Sequence, residues 1–262
     1  MTTLEVLFTP ADFSTLPARD LSQTTCVVFD ILRATTSMMA ALSNGATGII
    51  PVPDIPEALA LREKQPDLLL AGERDGLRIG AALSDGVDFD LGNSPREFTA
   101  DKVRGRTIVM TTTNGTRALR ACESARTVLI GSFLNLKPIA AWIREHYPRH
   151  LLLVCAGTYE QAAFEDTLAA GSLCEKIWDR YVVGQVADSA AMAKRIYPLM
   201  QQDLVAAMSH SRNGRRLLAM PELKGDVSYC MQRETLNFVA EMTHGVVARM
   251  SASSPASGLP AN

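Results

Sequence analysis

Hydrophobic residues fall along this chain in short, nearly unbroken runs, and each run gives way to a polar stretch and then to helical spacing. Residues 4–9, 25–31, 48–52, 68–71, 107–111, 127–131 and 151–155 are such runs and read as strands. A strand with one solvated face would alternate apolar and polar residues. Continuous runs instead suit strands covered on both faces. Residues 35–42, 55–64, 116–122 and 137–146 have helical composition and lengths of two or three turns. The alternation predicts an α/β fold, a largely parallel sheet with helices on both faces and right-handed crossovers. Residues 72–97 carry Gly, Asp, Asn, Ser and Pro at close spacing and read as a long functional loop. Beyond Cys155 the pattern turns helix-rich, over 164–181, 189–196 and 199–208. We therefore expect a larger α/β portion over 1–155, a smaller helix-rich α/β portion over 156–250, and a disordered tail over 251–262, where the sequence is SASSPASGLPAN.

Composition narrows the function classes. The 262 residues are 47% apolar and 21% charged, with a formal net charge of −2. No overall basic field draws nucleic acid or an anionic membrane, so any anion must be gripped by local arginines and N–H groups. The longest apolar runs, such as 151–156, fall far short of the roughly 20 residues that span a bilayer. The first ten residues lack the basic and apolar blocks of a signal peptide. Five scattered cysteines form no Cys-x-x-Cys pair and read as reduced, buried thiols. The expected compartment is the cytoplasm, and the expected partner is a small anionic metabolite.

In open parallel sheets ligands bind beyond the carboxyl ends of the strands. Five such ends carry polar clusters here. In the first, Asp30 closes a strand, Arg33 follows, and Thr35 and Thr36 open a helix. Asp30 could hold a hard cation or act as a base, and Arg33 could grip phosphate oxygens. The same residues also suit a cap and an ion pair. Glu73 and Arg74 follow the fourth strand, and Asn93 and Ser94 lie in a Gly-Asn-Ser-Pro turn. Alone, each is equally a solvated loop. Thr112, Thr113, Asn114, Gly115 and Thr116 put hydroxyls and a flexible bend between a strand and a helix, which suits an anion loop. Asn-Gly is also a hairpin signal, but a helical stretch precedes the next strand and favours the anion loop. Glu165 and Asp166 stand at a helix start, where they could coordinate Mg²⁺ or simply suit the helix dipole.

The combination says more than any one cluster. Phosphate monoesters hydrolyse so slowly in water that enzymes supply up to about 10²¹-fold acceleration, which needs several converging donors, a cation and an oriented nucleophile. Other chemistries lack their signatures: there is no Walker loop and no Gly-x-Ser-x-Gly elbow. Six residues after Cys155 stands Gln161, where a cysteine phosphatase needs arginine, and two after Asp30 stands Leu32, where a haloacid-dehalogenase-type phosphatase carries aspartate. Pro148 between His146 and His150 argues against a helical metal pair.

Taken in order, Asp30-Ile-Leu-Arg-Ala-Thr-Thr36, Gly72-Glu-Arg74, Gly92-Asn-Ser-Pro95, Thr111-Thr-Thr-Asn-Gly-Thr116, Cys155-Ala-Gly157 and Glu165-Asp-Thr167 resemble the 2-phosphosulfolactate phosphatase family, over roughly residues 4–229. The resemblance implies a three-layer α/β fold with two related portions of unequal size. It also implies Mg²⁺-dependent cleavage of (2R)-2-phospho-3-sulfolactate to 3-sulfolactate and phosphate, a step of coenzyme M biosynthesis. On this reading water attacks phosphorus directly, with a covalent phosphoaspartate at Asp30 as the alternative. Asp30 with Glu165 or Asp166 holds Mg²⁺ or orients the water, while Arg33 and the 112–116 loop stabilise the phosphoryl charge. Thr35, Thr36, Glu73, Arg74, Asn93 and Ser94 recognise the rest of the substrate. A phosphatase or phosphotransferase for another phosphorylated hydroxy acid, and a non-catalytic anion sensor, are the competing expectations.

Overall fold

The computed structural model describes residues 2–182 and 184–250, so the expected tail lies outside the described residues. Each predicted strand forms. In chain order the strands are β1 (Thr3–Leu7), β2 (Thr24–Phe29), β3 (Gly48–Pro51), β4 (Leu69–Arg74), β5 (Leu77–Arg78), β6 (Thr107–Thr111), β7 (Thr127–Gly131), β8 (His150–Cys155), β9 (Gln185–Val186), β10 (Ala240–Thr243) and β11 (Val246–Arg249). Among the described residues they make one sheet, in the order β5-β4-β6-β3-β11-β10-β7-β2-β8-β1-β9. Two blocks are parallel, β4-β6-β3 on one side and β7-β2-β8-β1-β9 on the other. The hairpin β10–β11 joins them, antiparallel to both, through the pairs Glu241↔Leu129 and Val247↔Ile49. Its turn, His244-Gly245, takes φ of 51° and 75°, the left-handed geometry that matches a hairpin's twist.

Both faces of the sheet are covered, which is why its strands read as unbroken apolar runs. Along β2, Val27 and Phe29 enter a core with the helices Leu136–His146, Phe164–Tyr181 and Asp188–Met200. The alternate residues Cys26 and Val28 face the helix Ala34–Ser43 on the other side. A third cluster, including Val52, Leu70, Phe89 and Val109, packs beneath the helix Ile55–Lys64. Asp54 caps that helix by accepting from the Glu57 N–H at 2.9 Å, and Arg62 and Lys64 suit its C-terminal dipole.

Local departures from the expected elements have local causes. The helix expected over 199–208 is instead the last turn of Asp188–Met200 and a separate helix, Leu204–Ala207. Asp203 divides them, because its carboxylate caps the second helix by accepting from the Ala206 N–H at 2.9 Å. The 72–97 segment is partly regular: β4 runs on to Arg74 and turns back antiparallel as β5, and two 3₁₀ turns follow. The hairpin and the helices Arg212–Leu218 and Lys224–Cys230 had no expected counterpart. Among the described residues no helix is long and apolar enough to cross a membrane.

Candidate active site

The register of the strands aligns their carboxyl ends. Phe29, the last residue of β2, pairs with Gly131 of β7 and Cys155 of β8, so Asp30 emerges beside the loop that leaves β8. Asp30 takes the place of a cap for the helix Ala34–Ser43: its carboxylate accepts from the Ala34 N–H at 3.2 Å, and its backbone oxygen from the Thr35 N–H at 3.0 Å. The helix Gly115–Ala121 packs against both β2 and β3, and its start brings the loop after β6 to Asp30. A Cβ on Gly115 would stand 2.5 Å from Asp30 Oδ2, so only glycine admits this approach. The carboxyl of Asp30 is pushed up to about 7, first by loss of solvent and then by the neighbouring charges of Glu73 and Glu165, against the pull of the Ala34 N–H and Arg33.

Arg33 is buried and rigidly held. Its Nη1 donates to Asp226 at 2.8 Å and its Nη2 to the Gly76 carbonyl at 2.6 Å. Asp226, fully buried on the helix Lys224–Cys230, also accepts from Ser94 Oγ at 2.6 Å and Arg96 Nε at 2.7 Å. One carboxylate thus ties the first and third sequence clusters together. Glu73 does the same for the second and fourth, accepting from the Gly76 N–H at 2.7 Å and from the Thr113 N–H and hydroxyl at 3.0 and 2.9 Å.

Asp166 closes the site from behind. Its Oδ1 accepts from the Ile31 N–H at 2.8 Å and its Oδ2 from the Gly157 N–H at 3.2 Å, locking the ends of β2 and β8 to one side chain. Burial, then Glu165 and then Asp30 raise its carboxyl well above the usual range. Glu165 is held by the Ser211 hydroxyl and by Asn213 Nδ2, the latter at 2.7 Å.

An open cavity lies in front of these groups. Of the residues expected at the site, Asp30, Arg33, Glu73, Asn93, Thr113 and Asn114 line it. Gly115 backs Asp30, and Glu165 and Asp166 stand behind it. The remaining expected residues spend their polar groups on the protein. Thr35 Oγ1 bonds Asp30 backbone, Thr36 Oγ1 bonds the Ile31 carbonyl, and Thr112 and Thr116 bond each other's backbone. Ser94 serves Asp226, and Arg74 bonds the Glu73 carbonyl and the Thr111 hydroxyl. Cys155 is buried, which pushes its thiol well up and suits the expectation that it is no nucleophile. Sequence reasoning missed Asp226, Ser211, Asn213, Arg216 and Tyr159. No local motif marks them; only a count of basic residues over 212–216 could have drawn attention to Arg216.

Two oxygen donors at the cavity are of the kind Mg²⁺ takes, the Asp30 carboxylate and the Asn93 amide. The charges of Glu73 and Glu165 bear on Asp30, those of Glu165 and Asp30 on Asp166, and Arg33 is the cation that offsets Asp30. Buried like charge of this kind is relieved by a cation. Asn93 adds a buried amide oxygen with no hydrogen-bond partner among the described residues, a hard oxygen of the type Mg²⁺ prefers. Among the described residues, no three His, Cys, Asp or Glu side chains converge as a closed metal cage.

A doubly covered, largely parallel sheet whose strand ends gather carboxylates and a buried guanidinium on one cavity suits a hydrolase of phosphate esters as a class. The chain belongs to the 2-phosphosulpholactate phosphatase family, whose model matches residues 12–245. A protein of Clostridium acetobutylicum named probable 2-phosphosulfolactate phosphatase is 36% identical over 224 residues, 85% of this chain and 91% of its own length. Proteins with the same name from Caldicellulosiruptor saccharolyticus and Thermotoga maritima are 36% and 34% identical, covering 88% of this chain and 93% and 94% of their own lengths.

Proposed function

We propose that this protein hydrolyses (2R)-2-phospho-3-sulfolactate to 3-sulfolactate and phosphate with Mg²⁺ as cofactor. The observation that carries the reading is convergence: Asp30, Glu73, Asn93 and Thr113, from separate segments of the chain, line one cavity with Arg33. The name carried by the relatives supplies the substrate.

In the reaction, water adds to phosphorus as the bond from phosphorus to the C2 oxygen breaks. The electron pair leaves on that oxygen, which takes up a proton as 3-sulfolactate departs. Asp30 lines the cavity, where it would orient the water and hold the cation, while Asp166, set behind it with both oxygens on backbone N–H groups, would keep the ends of β2 and β8 in place. Mg²⁺, when bound, supplies positive charge at the phosphoryl oxygens. Arg33 adds a fixed guanidinium that needs no reorganisation as charge develops, because Asp226 and the Gly76 carbonyl already hold it. Glu165 fixes Asn213 at the cavity wall.

The test is phosphate release from a panel of phosphorylated hydroxy acids, with 2-phosphosulfolactate included, in Mg²⁺ and in chelator. Release from 2-phosphosulfolactate that chelator abolishes is the expected result. Release from another acid alone would move the substrate, and release from none would remove the phosphatase reading.

A further inference from the structure

The cavity wall carries a second guanidinium that none of the sequence clusters contains. Arg216, on the helix Arg212–Leu218, lines the cavity with Arg33, Tyr159 and Asn213. Other arginines of the region are spoken for. Arg33 and Arg96 share Asp226, Arg117 pairs with Glu160 at 2.7 Å, and Arg74 bonds Thr111. Among the described residues no carboxylate lies within ion-pair distance of Arg216. Its hydrogen-bond partner is the Tyr159 hydroxyl, which accepts from Nη1 at 3.0 Å.

Two features hold this arrangement in place. Gly76, at φ +78°, lies under the Arg216 guanidinium, and a Cβ there would stand 2.9 Å from Nη2. The Gly76 carbonyl accepts from Arg33 Nη2, so the two guanidiniums flank a single residue. On the opposite side, Tyr159 and Glu160 both take left-handed backbone angles, φ of 48° and 58°, in a turn closed by Thr158 and Gln161. Asn-Gly would enter that turn far more readily. The turn is held by the Arg117–Glu160 pair and by Arg212 donating to Gln161 Oε1. Strain kept at a turn tip so that one side chain meets a binding cavity is a mark of functional constraint.

We propose that Arg216 is the specificity-determining residue that reads the acid group of the substrate remote from phosphorus, the sulfonate of 2-phosphosulfolactate. The inference rests on the phosphatase reading. Arg33, clamped at both Nη atoms, serves the phosphoryl end. Arg216, half-buried and free of acid partners among the described residues, exchanges a neutral phenol for an anion, which makes the stronger, charge-assisted bond. A planar fork also suits a pair of oxygens on one sulfonate better than a point charge does.

The experiment compares steady-state phosphate release by wild type, Arg216→Ala and Arg216→Lys on 2-phosphosulfolactate and on 2-phospholactate, which lacks the sulfonate. Loss of a charged hydrogen bond predicts that Arg216→Ala lowers the ratio of kcat/KM between the two substrates roughly 10- to 100-fold, through KM on 2-phosphosulfolactate. Arg216→Lys recovers part of the ratio. An unchanged ratio, or equal losses on both substrates, would overturn the inference while leaving the phosphatase reading intact. A wild-type protein that releases phosphate from neither compound would overturn both.

Discussion

Replacing Asp226 by alanine removes the acid that three donors share. Asp226 is 0% exposed and Arg33 3%, so the variant leaves a buried guanidinium whose one remaining hydrogen-bond partner among the described residues is the Gly76 carbonyl. Breaking a buried pair by removing one partner costs about 3–5 kcal/mol. Arg96 adds little, because its side chain is 45% exposed and an exposed pair contributes roughly 0–1 kcal/mol. At about 2–4 °C per kcal/mol for a chain of this size, the melting temperature should fall by roughly 6–20 °C. The assay is urea unfolding of wild type, Asp226→Ala, Arg33→Met and the double variant, alongside phosphate release. If the cost is the stranded charge, removing Arg33 as well restores much of the stability, and the cycle shows a coupling above about 1 kcal/mol. A loss below about 1 kcal/mol in Asp226→Ala, or strictly additive single losses, would refute this account of Arg33. The site makes its own demand: with folded protein selected at low temperature, Asp226→Ala should still lose turnover, since Arg33 is no longer aimed.

The carboxyl of Asp30 titrates at about 7 when folded and near 3.9 when unfolded, so the folded state holds the extra proton. Its contribution is full below the unfolded value and is lost as pH rises through about 7. Melting temperature without Mg²⁺ should therefore decline from about pH 4 to about pH 7 and level off above, and Asp30→Asn should flatten the decline. A slope unaffected by that substitution would show that another group governs it. Asp30→Asn should also cut kcat at least about 100-fold with circular dichroism unchanged, in line with the loss of a preorganised charge. Retained turnover would remove Asp30 from the chemistry. In Gly115→Ala the new methyl meets Asp30 Oδ2 at 2.5 Å and Ala34 Cβ at 2.7 Å. Overpacking of this kind costs about 1–3 kcal/mol, and thermal denaturation showing no loss would mean the helix start can shift freely.

The amino-acid sequence by itself determined the layered α/β architecture. Burial of a parallel sheet on both faces imprints continuous apolar runs on each strand, and that imprint is local, so seven strands were legible to within a few residues and the helices Ile55–Lys64 and Phe164–Tyr181 to the residue. It also placed Asp30, Glu73, Asn93 and Asn114 near strand ends, where a parallel sheet binds its ligands. Only the tertiary structure decided which polar group faces which partner. Thr112 and Thr116 of the expected anion loop, and Thr35 and Thr36 at the helix opening, put their hydroxyls on backbone bonds, because a helix start offers such partners before any ligand arrives. Arg33 finds its counter-ion 193 residues away, on a short helix whose own sequence gives no hint of a site. The hairpin 240–249 was equally hidden: its place between the two parallel blocks depends on single pairs with Leu129 and Ile49. Strand and helix patterns are set by neighbours within a few residues, whereas charge pairing is set by whichever distant segments packing brings within about 3 Å.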